Sequence, residues 1–188
     1  MIAMYGKRIA VWGNSSSGKT TLAAALAERC GIPHIEMDAI FWRPDWVESP
    51  IEEFRVNINS AIEAHPDGWV MDGNYSRVQD LVLPHVDTVV WIRLPLWLVL
   101  WRCTVRCIGR IISKDPLWGI NRETWSKSFF SRESLLWYIL KTWRGHVKRR
   151  RLMLATIPNR GRIIELRSRK EVQGFLEEAG TDNQAGYP

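Results

Sequence analysis

The 188-residue chain predicts an α/β domain, a parallel sheet covered by helices on both faces. Two observations carry this expectation. Short apolar runs alternate with longer stretches of helical periodicity along most of the chain, and parallel strands need such crossovers. The first run also passes through a Gly/Ser loop directly into a helix, so a site belongs at the carboxyl ends of the strands.

Taken in order, Lys7 to Trp12 is a short buried strand and Gly13 to Gly18 a loop. Lys19 to Cys30 is an Ala- and Leu-rich helix stopped by Gly31 and Pro33. His34 to Met37 is a second strand. Ile51 to Ala64 places Ile51, Phe54, Ile58, Ala61 and Ile62 on one helical face. After the Pro66-Asp67-Gly68 turn come a third strand, Trp69 to Met71, and a fourth, Asp87 to Ile92, closed by Pro95. Leu96 to Ile112 is a helix with arginines repeating along one side. An irregular segment, about 113–131, precedes a basic helix from Glu133 to about Thr156. Arg162 to Leu166 is the fifth strand and Lys170 to Ala179 the closing helix. The expected organisation is one domain over 1–179 with a tail at 180–188.

Composition excludes other classes. Hydrophobic residues at 46% and charged residues at 24% are globular values, not those of a disordered or fibrous chain. Three cysteines without a C-x-x-C pair argue against a disulfide scaffold or thiolate zinc site. Cys103 and Cys107, four apart, read as small apolar residues on one helix face. No signal peptide or membrane span is visible, since Val89 to Trp101 is interrupted by Arg93 and Pro95. The reading is a cytoplasmic monomer.

The net charge of +6 hides a division: residues 93–170 alone balance at +15. Most of the eleven tryptophans lie in or beside the same stretch. An anionic partner is implied: phosphates, nucleic acid or a membrane surface.

Gly13-Asn14-Ser15-Ser16-Ser17-Gly18-Lys19-Thr20 matches G-x-x-x-x-G-K-[ST] in full. The glycines let backbone N–H groups turn inward around a polyphosphate, and the helix N-terminus adds its dipole. Lys19 supplies a point charge to the β- and γ-phosphates, Thr20 offers a hydroxyl to Mg²⁺, and Thr21 stands beside it. ATP with Mg²⁺ is the expected cofactor.

Asp38 follows the second strand, and a period of two puts Glu36 and Asp38 on one side of it. Asp38 is the candidate to hold or deprotonate an acceptor. Asp72 ends the third strand and is placed for Mg²⁺. Gly73, Asn74, Tyr75 and Arg77 follow it as candidate substrate contacts. Arg102, Arg106 and Arg110 repeat every four residues on one helix face. Arg102 and Arg106 are candidate ATP contacts, and Arg122 is the candidate catalytic cation of the irregular segment.

The strings Gly-Asn-Ser-x-Ser-Gly-Lys-Thr, Pro33-His34-Ile35-Glu36-x-Asp38-Ala39-x-Phe41-Trp42-x-Pro44 and Asp72-Gly73-Asn74-Tyr75-Ser76, with Asn121-Arg122-Glu123-Thr124, are spread along the chain from residue 13 to residue 124. Together they resemble the adenylate-kinase-like P-loop proteins often labelled DNA topology modulation proteins, within the nucleoside-monophosphate-kinase superfamily. The resemblance implies a P-loop NTPase three-layer sandwich, a five-stranded parallel sheet in order 2-3-1-4-5, a mobile helical lid over about 113–131, ATP and Mg²⁺. Arg77 stands one residue later than the arginine of true adenylate kinases. The Glu36-x-Asp38 pair resembles instead the strand-two acids of shikimate- and gluconate-type kinases. The expected activity is transfer of the ATP γ-phosphate to a small-molecule or nucleotide acceptor. The alternative is a nucleic-acid-binding ATPase using the basic, Trp-rich stretch.

Overall fold

The structure is a computed structural model and describes residues 5–113, 135–154 and 162–181. Its first strand, β1 (Arg8–Gly13), is buried on both faces, with Ile9, Ala10, Val11 and Trp12 all nearly inaccessible. Such a strand needs apolar cover on both sides. Ile9 and Val11 face one core with Leu22 and Leu26 of α1 (Lys19–Cys30). Ala10 and Trp12 face a second core. Gly31, in the left-handed region at φ 63°, ends α1 by turning its N–H and that of Ile32 back onto Glu28 and Ala27.

The second strand is shorter than the sequence suggests. β2 runs only His34–Glu36, and the chain turns at once into α2 (Met37–Phe41). A two-stranded hairpin follows, β3 (Trp42–Arg43) against β4 (Val47–Glu48). Aromatic packing accounts for this: Phe41 meets Phe54 at 5.0 Å and Tyr75 at 4.6 Å between ring centroids, which draws the segment onto the second core. Glu36 and Asp38 therefore do not share a strand face; Asp38 lies in the first turn of a helix.

Helix α3 (Ile51–Glu63) lays Phe54, Ile58 and Ile62 on that core. Then come β5 (Trp69–Asp72), α4 (Gln79–Val82) and β6 (Thr88–Ile92). Helix α5 (Leu96–Ser113) buries Val99, Cys103 and Cys107, one helical stripe, as the cysteine spacing predicts. Helix α6 (Leu135–Leu154) packs against α5, β7 (Arg162–Leu166) closes the sheet, and α7 (Arg169–Thr181) runs two residues beyond the expected end at Ala179.

The five-stranded sheet is parallel, in order β2-β5-β1-β6-β7. Counting only its members along the chain, this is the expected order 2-3-1-4-5. β1 pairs with β5 through Val11 opposite Asp72, and β5 pairs with β2 through Asp72 opposite Glu36. Asp72 thus sits at one edge level with the start of the Gly/Ser loop. The expected lid, about 113–131, and the tail beyond Thr181 lie outside the described residues.

Candidate active site

The loop between β1 and α1 is shaped by local backbone geometry. Ser17 donates its N–H to the Asn14 carbonyl at 3.0 Å, and Ser16 and Gly18 take φ of 62° and 93°. A Cβ on Gly13 would stand 2.3 Å from Ser17 Oγ, so only glycine lets the loop fold back on β1.

Asn74 locks this start in place. Gly13 donates its N–H to Asn74 Oδ1 at 3.3 Å, and Asn74 Nδ2 donates to the Gly13 carbonyl. The residue expected to touch substrate therefore spends its amide on the loop backbone. Gly73, at φ 150°, is pressed against Met37, which a Cβ would meet at 2.7 Å.

Three carboxylate and cation positions converge beside the loop. Lys19 Nζ lies 3.5 Å from Asp38 Oδ2 and 4.0 Å from Asp72 Oδ2. Thr20 donates its hydroxyl to Asp72 Oδ2 at 2.7 Å. His34 Nε2 meets the other oxygen of Asp72 at 2.8 Å. Asp72 is almost fully buried, so these contacts replace the water a carboxylate would otherwise hold. Tyr75 donates to Asp38 Oδ1 at 2.6 Å. Burial, with the Asp38 carboxylate beside it, pushes the Tyr75 phenol far above its ordinary value, so it stays a donor at neutral pH.

From the other side, α5 supplies two of the arginines its spacing predicts. Arg102 Nη1 donates to the Ser17 carbonyl at 3.0 Å, and Arg106 Nη2 reaches Ser15 Oγ at 3.5 Å. Burial, with Arg169 nearby, lowers the Arg102 guanidinium below its usual value. The hydroxyls of Ser16 and Ser17 and the Nε of Arg106 are buried without a hydrogen-bond partner. Unsatisfied donors of this kind around a Gly/Ser loop fit an anion.

The remaining expected residues lie apart. Thr21 is exposed in the first turn of α1. Arg77 faces Glu48 at 3.6 Å, not the carboxylate cluster. Arg122 lies outside the described residues. His34 is the residue the sequence reading passed over; its signal was a histidine opening a strand whose neighbour ends in an acid. Farther along the same sheet edge, where β6 and β7 end, a cleft of about 580 Å³ is lined by Arg93, Leu94, Trp143, Lys148, Arg151 and Arg167 among others.

No protein-family model matches the chain, and no curated protein matches it in sequence. Solved structures do. A gluconokinase from Sinorhizobium meliloti 1021 aligns over 98% of this chain and 99% of its own, with a TM-score of 0.52 at 18% identity. A shikimate kinase from Bacteroides thetaiotaomicron aligns over 95% of this chain and 98% of its own, with a TM-score of 0.53 at 14% identity. At such identities the likeness establishes the fold: the chain has the parallel α/β architecture of these P-loop kinases.

Proposed function

We propose that the chain is a P-loop phosphotransferase that binds ATP on residues 13–20 and passes its γ-phosphoryl group to a hydroxyl of a small molecule. The observation that carries this reading is Lys19 Nζ set between Asp38 at 3.5 Å and Asp72 at 4.0 Å. The phosphate lysine, a metal-side acid and an acceptor-side acid then share one spot. Loop N–H groups and Lys19 hold the phosphates, and Arg102 and Arg106 take up charge on the α5 side. Thr20 and Asp72 suit Mg²⁺, which prefers one or two protein oxygens beside phosphate oxygens and a few waters. When bound, Mg²⁺ neutralises charge on the transferring group. Asp38, oriented by Tyr75, accepts the proton of the acceptor hydroxyl as the hydroxyl oxygen bonds to the γ-phosphorus and the bond from that phosphorus to the departing ADP oxygen breaks.

The acceptor side favours a hydroxyl over a phosphate monoester. Arg43 pairs with Glu53, Arg55 with Asp80 and Arg77 with Glu48, so each arginine of this region already holds a carboxylate. Asp38 itself repels a dianion. Arg102 and Arg106 turn into the loop and not along an outward groove, which supports phosphoryl transfer over nucleic-acid tracking. The likeness to proteins labelled DNA topology modulation proteins stands beside this reading as a proposal of kinship that names no acceptor. A single domain over 1–179, a lid over about 113–131 carrying Arg122 and a cytoplasmic monomer complete the proposal.

The test is ADP formation from ATP with sugar acids, nucleosides and nucleoside monophosphates, with Lys19→Ala as control. The expected outcome is turnover with a hydroxyl acceptor, kcat about 10²- to 10⁴-fold lower in Asp38→Asn, and ATP affinity near wild type. Turnover of a nucleoside monophosphate with unchanged kcat in Asp38→Asn would refute the assignment.

A further inference from the structure

Helix α5 has two apolar faces. Its inner stripe, Val99, Cys103 and Cys107, is buried in the core. Its three arginines gather along one edge, from which Arg102 and Arg106 reach the phosphate loop. The outward arc of such a helix is ordinarily polar. Here it carries Trp97 at 69% exposure, Trp101 at 64%, Val105 at 49% and Ile112 at 71%, with Ile108 half-buried among them. At about 100° per residue these positions fall within an arc of roughly 80°. The sequence from Leu96 to Ser113 holds no Asp, Glu or Lys. The two tryptophans alone present roughly 300 Å², and an uninterrupted patch of this kind marks an interaction surface.

We propose that this face of α5 lies on the surface of an anionic phospholipid bilayer, with Trp97 and Trp101 at headgroup level. Charge selects this occupant. Residues 93–170 balance at +15, and α6, packed against α5, has no acid in its 20 residues. Exposed on α6 are Lys141, Lys148 and Arg151, together with Trp137 and Leu140. Tryptophan beside basic residues is the composition of helices that lie in the membrane interface. A second copy of the chain would bring the same positive field against itself. The patch also falls short of the roughly 800 Å² per subunit of a stable interface. No helix among the described residues is long and apolar enough to cross a membrane, so this mode is contact with the surface. The proposal does not depend on the nucleotide reading.

The test is sedimentation of the full chain with vesicles of phosphatidylcholine, alone or mixed with phosphatidylglycerol. Binding is expected only to the anionic vesicles, weakening as salt is added, with tryptophan emission quenched by brominated acyl chains. Trp97→Ser with Trp101→Ser should weaken binding by about tenfold or more, with unchanged circular dichroism and unchanged affinity for a non-hydrolysable ATP analogue. Val105→Glu with Ile112→Glu, which keeps both tryptophans, should act in the same direction. Equal binding to neutral vesicles, binding to neither, or vesicle binding untouched by both double variants overturns the proposal. So does a dimer in sedimentation velocity that the same variants dissolve in a protein that ignores vesicles, which would give the face to a second copy.

Discussion

Asn74 shows how much one side chain settles at this site. Its amide both accepts from the Gly13 N–H and donates to the Gly13 carbonyl, so it fixes where the Gly/Ser loop leaves the sheet. Asn74→Ala leaves two part-buried backbone groups unpaired, at a cost of about 1–3 kcal/mol. The expected result is a lower urea midpoint together with weaker binding of an ATP analogue, while Asn57→Ala, on the exposed face of α3, changes neither. At this scale sequence reading was uneven. That Lys19, Thr20 and Asp72 would come together was legible, because the motif fixes the first two and Asp72 ends the strand expected beside it. Asn74 was read as a substrate contact, and its bonds to the loop were not legible because their partner is a backbone 61 residues away. His34 was missed because its contact depends on the pairing of β2 with β5.

Among the elements, the far edge of the sheet is tied by one carboxylate. Glu165 of β7 receives Arg93, which follows β6, and Arg167, which follows β7, the latter at 2.7 Å. The bond from Arg167, then that from Arg93, holds the Glu165 carboxyl below its usual range. A folded-state pKa below the unfolded one gives stability that is full above the unfolded value, about 4.3, and is lost as pH falls through the folded value. Glu165→Gln should therefore destabilise the protein at neutral pH, with the difference vanishing in acid. Denaturant titrations across that window check it, and a pH-independent difference would count against the linkage. Element boundaries in α1, α3 and β7 were legible from glycine stops and apolar spacing. Helix α2 and the β3–β4 hairpin were not, because five- and two-residue elements carry no period of their own and Phe54 and Tyr75 shape them from outside through Phe41.

For the whole molecule, a parallel sheet with the Gly/Ser loop at its carboxyl edge followed from the alternation of elements and one motif, while the strand order came from the family resemblance. What alternation cannot show is which helix faces stay uncovered, and α5 is the case in point. A nucleotide that binds only the folded chain shifts unfolding by mass action. A non-hydrolysable ATP analogue with Mg²⁺ at about 100 times its Kd should add about 2.7 kcal/mol, which raises Tm by roughly 5–10 °C for a chain of this size. Calorimetry of wild type and Lys19→Ala decides it: the rise should be absent in the variant.

Of the five strands of the sheet, the one that leads into the Gly/Ser loop is made first and ends in the middle. β1 pairs on one side with residues 69–72 and on the other with 88–92. During synthesis at about 5–20 residues per second, Ile9-Ala10-Val11-Trp12 therefore waits some seconds, apolar on both faces, before either neighbour exists. The expectation is that no stable centre forms until β6 has left the ribosome, because β1 needs both neighbours. An arrest-peptide series should show little folding force for chains ending before β6 clears the exit tunnel and a sharp rise soon after. Force appearing while only β1, α1 and β2 have emerged would mean that the amino-terminal third folds without the strands that flank it.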